Sequence, residues 1–299
     1  TVLDALDFFP SVNLIYAITD NQNLRASFSR TIARPSFKEL SFAQILDPVT
    51  NRFFNGSFFP YSTWDGNLTE TRISNFDLRW ELFWEGGQIL SVSAFYKNFD
   101  NPIELVRIPE QQTSTEFQPR NVGDGRLFGL EFEFRKNLDF ISPSLEKFNF
   151  SGNVTFVQSF IDMSPAEFNS RKNFERTGET IDDEREMAGQ APYVINAGLT
   201  YSDIESGWEA GMFYNVKGET LEIVGIGLYS DIFFQPFHSL SFSINKKIGP
   251  NRRTVIDFKA SNILNDVRES LYESFDATPR VFTSLNPGRS FSLGLSHSF

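Results

Sequence analysis

The residues able to do chemistry in this sequence are few and scattered. It holds two histidines, His238 and His297, and no cysteine. A transition-metal site needs several imidazole or thiolate ligands at short, regular spacing, and neither histidine has such a neighbour. Thiol nucleophiles and disulfides are excluded outright. No Gly-x-Ser-x-Gly elbow is present to seat a nucleophilic serine, although a Ser-His-Asp set drawn from distant positions stays open. Asp182, Asp183, Glu184 and Glu186 offer carboxylates. A calcium loop also needs a turn-forming glycine among spaced oxygen ligands. The nearest glycines, Gly178 and Gly189, lie outside the run, so a solvated acidic loop is expected. Glu131, Glu133 and Arg135 recur at every second position, as a row of ion pairs or as a contact for a passing ligand. No catalytic residue, metal ligand or cofactor is expected, and the chain is not read as an enzyme.

The spacing of these charges belongs to a wider pattern. From Asn75 to Trp84, Phe76, Leu78, Trp80, Leu82 and Trp84 alternate with Asn75, Asp77, Arg79 and Glu81. Phe128, Leu130, Phe132 and Phe134 alternate in the same way with Gly129, Glu131, Glu133 and Arg135. A strand turns successive side chains to opposite faces, whereas a helix would mix these charges with the aromatics. The alternation recurs along the chain and predicts about eleven strands and no helix. It also accounts for the 34 phenylalanines among 299 residues, at a mean hydropathy of only −0.27. No run approaches the roughly 18 apolar residues of a membrane helix.

Links between the predicted strands alternate in length. Short polar ones (Asp20 to Gln22, Glu85 to Gly87, Asp139 to Glu146, Asp203 to Ser206, Gly249 to Asn251) follow the odd strands. Links of some 20 to 30 residues follow the even ones, and they carry about the whole of the net charge of −11. That charge argues against nucleic acid as a partner and favours cations, zwitterions or divalent bridging to lipopolysaccharide. Short turns at one end and long loops at the other are the plan of a transmembrane antiparallel β-barrel. Phe76, Leu78, Trp80, Phe128, Leu130, Phe132 and Phe134 would then face outer-membrane lipid, with Trp80, Trp84, Trp208, Tyr193 and Tyr201 near the interfaces. With short turns on the periplasmic side, the first and last strands both run inward and the C-terminus is periplasmic. Bacterial single-chain barrels have an even strand number. Eleven therefore reads as part of a roughly 22-stranded barrel, with residues 1–299 its C-terminal portion and the chain's start at Thr1 inside a longer protein.

Several segments resemble the barrel of TonB-dependent outer-membrane receptors of Bacteroidetes-type bacteria. They are Asn23 to Leu40, with Arg30-Thr31, Ala33-Arg34-Pro35 and Phe37-x-Glu39-Leu40; Asn121 to Lys136; Met187 to Asn196; and Asn262 to Asn265. Ser292-x-Gly294-x-x-His297-x-Phe299 resembles the terminal signal read by the barrel-assembly machinery, with Gly294, His297 and Phe299 as its residues and His297 at a position that is usually apolar. The resemblance implies energised import, a plug domain coupled to the inner-membrane TonB motor, and room for a surface lipoprotein as partner. Two other readings compete: a complete barrel of about twelve strands, acting as a porin or outer-membrane esterase, and a soluble β-sandwich adhesin.

Overall fold

The computed structural model describes residues 8–47, 52–59, 65–108 and 116–298. Eleven strands form one continuous antiparallel sheet in chain order. They are β1 Ser11–Thr19, β2 Gln22–Ala33, β3 Thr71–Trp84, β4 Gln88–Asp100, β5 Gly125–Asn137, β6 Phe148–Asp162, β7 Tyr193–Asp203, β8 Trp208–Lys217, β9 Ser239–Ile248, β10 Thr254–Ser261 and β11 Ser290–His297. Each strand pairs with its neighbours in this order, and among the described residues β1 and β11 are the two free edges of the sheet. Links after odd strands are short. Between β3 and β4 the chain reverses through Glu85–Gly87, where Gly86 takes φ 71°, a conformation that costs glycine little and an L side chain much.

Period-2 alternation works only if the registers agree from strand to strand, and they do. One row reads Leu24, Trp80, Val92, Phe132, Val154, Ile195, Val216 across seven strands. The adjacent row on the opposite face reads Asn23, Glu81, Ser91, Glu133, Asn153, Asn196, Asn215, Ser239. A slip of one residue anywhere would exchange the two faces. The apolar face carries cross-strand aromatic pairs, Phe28 with Phe76 at 4.8 Å and Phe76 with Tyr96 at 6.2 Å. Phe132 remains 42% exposed there, with no second sheet layered against it. A β-sandwich would have buried it.

Core packing sits elsewhere, in the long links. Gln44–Asp47, Arg52–Asn55, Glu116–Asn121 and Ile103–Arg107 form one four-stranded sheet; Thr220–Ile223, Asp231–Phe234, Arg268–Glu273 and Arg280–Leu285 form another. A parallel bridge between Val106 and Val224 joins them, the N–H of Arg107 donating to Val224 O at 3.1 Å. Between them Phe117, Ile223, Ile232 and Phe282 are buried together. The expectation of no helix is corrected by one short helix, Pro165–Lys172. Ser164 caps it by accepting from the N–H of Glu167, and Pro165 opens it, the Ser-x-x-Glu start that capping chemistry favours. Among the described residues no helix is long and apolar enough to cross a membrane.

Close strand contact depends on glycine at one position in particular. A Cβ on Gly129 would lie 2.4 Å from Phe156 O and 2.4 Å from the ring of Phe95. The carbonyl is fixed by the ladder and cannot retreat. Gly129→Val is expected to destabilise the sheet by about 1–3 kcal/mol, read as a lower urea midpoint of the folded protein.

Candidate functional site

The polar face of the sheet and the block of long links above it hold the chemically active side chains. On the polar face, five charges alternate across β2, β3 and β5. Arg25 Nε lies 2.5 Å from Glu81, Arg79 lies 2.9 Å from Glu81 and 2.7 Å from Glu133, and Arg135 lies 3.6 Å from Glu133. Arg79 also donates to Ser93 Oγ at 3.2 Å. The row of Glu131, Glu133 and Arg135 therefore shares one face. Glu133 and Arg135 are drawn into this chain of ion pairs, and Glu131 stands opposite Ser93. Toward β9 the same face turns neutral, with Asn153, Asn196 and Asn215 in line. Sequence reasoning missed these amides. Each occupies the polar phase of a strand, as Asn196 does between Ile195 and Ala197, but only the register aligns them.

On the opposite face Phe76, Leu78, Phe128, Leu130 and Phe132 are exposed, and Trp80 and Phe134 are half-buried. Trp80 Nε1 donates to Gln22 at 3.3 Å. Trp84 and Trp208, at the short-turn end, lie against Lys136 and Lys246 at 4.3 and 4.6 Å. Gly294 lies opposite Asp257, whose carboxylate would be 2.4 Å from an added Cβ. His297 shares a hydrogen bond with Thr254 at 2.8 Å, and Phe299 lies outside the described residues. Tyr214 OH and His238 Nδ1 are 2.7 Å apart, where β9 begins. The two histidines, His238 just before β9 and His297 at the end of β11, are thus hydrogen-bonded to different partners and are not brought together.

The long links are tied by a buried chain of charges that the sequence did not reveal. Arg185 is paired with Glu104 at 2.7 Å and Glu167 at 2.6 Å, and Arg171 with Glu167 at 3.3 Å and Asp231 at 2.8 Å. Glu104 also accepts from the N–H of Ala188, and Asp231 from that of Gly225, both at 2.7 Å. Links after β4, β6 and β8 are thereby fastened together. Burial opposes the charge on Arg185, but Glu104 and Glu167 outweigh it and raise its pKa above the ordinary arginine value. The expected solvated acidic loop is only partly that: Glu184 receives Arg126 at 2.6 Å, and Glu184–Arg185 pairs as a two-residue strand with the end of β6. Asp182 and Asp183 are exposed. Among the described residues no group of three or more His, Asp or Glu side chains is arranged to hold a metal ion.

A second, like-charged contact lies in the same block. Gln235 Nε2 donates to Glu219 and to Glu273, each at 2.9 Å. Burial, and then the neighbouring Glu219, raise the pKa of Glu273 above the ordinary carboxylate value. A carboxyl with a raised folded-state pKa stabilises fully below its unfolded pKa, and that contribution is lost as pH rises through the folded value. Glu273→Gln is therefore expected to raise the thermal midpoint at about pH 7.5 and to leave it unchanged near the unfolded carboxylate value of about pH 4. Arg185→Met strands Glu104 without a cation and leaves Glu167 with Arg171 alone, and is expected to cost about 3–5 kcal/mol, with the links cut faster in limited proteolysis.

The family model described as TonB dependent receptor-like, beta-barrel, matches residues 3–255. No curated protein sequence matches the chain. Among solved structures, a mutant ferric enterobactin receptor PfeA from Pseudomonas aeruginosa in complex with enterobactin superposes with a TM-score of 0.60 at 16% identity, over 98% of this chain and 41% of that one. The unliganded ferric citrate transporter FecA gives 0.60 at 15% identity, over 96% and 38%. The copper transporter OprC gives 0.59 at 15%, over 97% and 39%. At such identities the likeness is one of fold, and the chain spans about two fifths of the length of these neighbours. Eleven antiparallel strands, short turns alternating with long links, one apolar and one polar face, and a family match over most of its length show that this chain belongs to the TonB-dependent receptor β-barrel family.

Proposed function

We propose that this chain is the C-terminal part of a roughly 22-stranded outer-membrane transporter that imports its substrate with energy from the inner-membrane TonB motor. The single observation that carries this reading is the pair of free edges. Ten antiparallel steps separate β1 from β11, so the two strands run in the same direction. An antiparallel barrel closes only if an odd number of further strands stands between them. A single-chain bacterial barrel has an even total, and an exposed ladder edge is not tolerated in lipid. Eleven more strands, with a plug inside, satisfy both conditions. A barrel of twelve would need one outward-running strand, and among the described residues the eleven-strand path offers none.

The apolar face is the lipid surface in this reading, and the polar face lines the lumen. The long links then lie outside the cell, and the turns and C-terminus lie in the periplasm. The acidic balance of the links supports a cationic or zwitterionic environment at the mouth, including divalent contacts to lipopolysaccharide. Neighbours of this fold are named for ferric enterobactin, ferric citrate and copper, cargoes too unlike one another to point to one here.

Two measurements test the reading. The full-length protein should fractionate with the outer membrane and be captured by the periplasmic domain of TonB; failure of capture by a folded preparation would remove the transport assignment. Phe132→Arg should lower stability in lipid vesicles by about 2–4 kcal/mol if the site lies near the midplane. An unchanged unfolding midpoint would place this face away from lipid.

A further inference from the structure

Two lysines stand on the apolar face at its short-turn end, where the alternation would place an apolar residue. Lys136, two residues beyond Phe134 on β5, lies opposite Phe150 on β6. Its Nζ donates to Gln88 Oε1 at 3.1 Å and rests 4.3 Å from the ring of Trp84 and 5.7 Å from that of Phe140. Lys246 lies in register between Trp208 and Ile256. Its Nζ donates to Ser206 O and rests 4.6 Å from the Trp208 ring. Trp84 is the last residue of β3 and Trp208 the first of β8, so each ammonium is held against an indole at the rim of the sheet. Contact with Lys136 also places Phe140 on the apolar side. The turn between β5 and β6 thus folds outward there, with Phe140 and Ile141 both exposed.

The carboxylates around these lysines are engaged elsewhere or stay in the turns. Asp203, opposite Trp208, is paired with Lys147 at 2.8 Å, and Glu209, on the polar face, with Lys247 at 2.7 Å. Arg252 donates to Ile204 O and Glu205 O and fixes the turn beside Lys246. Among the described residues Glu85, Asp139, Glu146 and Glu205 make no ion pair with either lysine. An ammonium has three donors, and each of these gives one to a neutral oxygen. A lysine on a lipid-facing wall carries its charge to the interface, because an uncompensated charge is costly deeper in. The anion present at that level on the lipid side is the headgroup phosphate. Indole rings favour the same level, and Phe140, Ile141 and Ile256 offer apolar surface to the first methylenes of an acyl chain.

We propose that Lys136 with Trp84 and Phe140, and Lys246 with Trp208, are two seats for the headgroup phosphate of a glycerophospholipid at the short-turn end of the wall. The proposal rests on the reading of the apolar face as the lipid surface, and it names the lipid chemistry recognised at that end and the side chains that recognise it. Four ladder steps of about 4.8 Å separate β5 from β9, so the two seats hold separate lipids.

The test is native mass spectrometry of the detergent-purified full-length receptor after addition of phosphatidylglycerol, phosphatidylethanolamine or a phosphate-free glucosyl diacylglycerol. Lys136→Gln is expected to retain one phospholipid fewer than the wild type, and the double variant that adds Lys246→Gln two fewer, with either phospholipid. Lys136→Arg, which keeps the charge, should retain the wild-type number, and so should Lys217→Gln and Lys259→Gln, whose lysines lie on the polar face. Retention of the glucosyl lipid should be the same in every variant. All are compared as folded, heat-modifiable bands. An undiminished phospholipid count in the double variant would overturn the proposal, and so would an equal loss of the phosphate-free lipid. Displacement of the bound lipids by millimolar inorganic phosphate would also overturn it, by showing sites for a soluble anion. Capture by the TonB domain and the vesicle stability of Phe132→Arg separate this claim from the one it rests on. A captured receptor that Phe132→Arg destabilises in vesicles, but whose double lysine variant keeps its lipids, loses the two seats and keeps the membrane transport reading.

Discussion

Every peptide group in a membrane-spanning wall must find its hydrogen-bond partner inside the protein, and the rest of this structure follows from that constraint. Water is absent from the hydrocarbon layer, so a helix or a closed sheet are the available solutions. This chain has no apolar run for the first and supplies eleven laddered strands toward the second, open at β1 and at β11. The ladder imposes the alternation of faces, and it makes direction accumulate strand by strand. The parity argument for a larger barrel is thus a consequence of hydrogen bonding and needs no assumption about cargo.

The same constraint explains where the molecule is packed. A wall one strand thick has no interior, and many of its apolar side chains remain exposed. Burial moves into the long links, where two small sheets enclose Phe117, Ile223, Ile232 and Phe282 and a run of buried charges from Glu104 to Asp231 holds three links together. Buried ion pairs of this kind add little over a well-packed apolar contact, but they are costly to break singly. They favour one arrangement of the links over looser ones. The described parts of the long links therefore form a folded layer of their own.

The polar face divides the work differently. Over β2 to β5 its charges neutralise one another, each partly exposed pair contributing at most about 1 kcal/mol. Over β6 to β9 the floor is amide, hydroxyl, glycine and one flat phenylalanine. The wall thus carries a compensated charged strip beside a neutral, hydrogen-bonding one.

Fold class was legible in the sequence because period-2 alternation is a local property. Phe76 to Trp84 and Phe128 to Arg135 each declare a strand with one lipid-compatible face, and Asp20 to Gln22 or Gly249 to Asn251 each declare a tight turn. The helix after Ser164 was not read from the sequence: it has a Ser-x-x-Glu start, but it is short and stands among charged residues without apolar periodicity. The rest is non-local. Glu104, Arg185 and Asp231 are more than 120 residues apart end to end, and no spacing rule links them; the pairing of the small sheets brings them together. Asn153, Asn196 and Asn215 are ordinary polar-phase residues until two independent registers set them side by side. Local patterning by itself determined the strands, their faces and their alternating links. Only the tertiary structure decided which side chains meet across them, because a strand's partners are chosen by register, and register is a relation between segments distant in the chain.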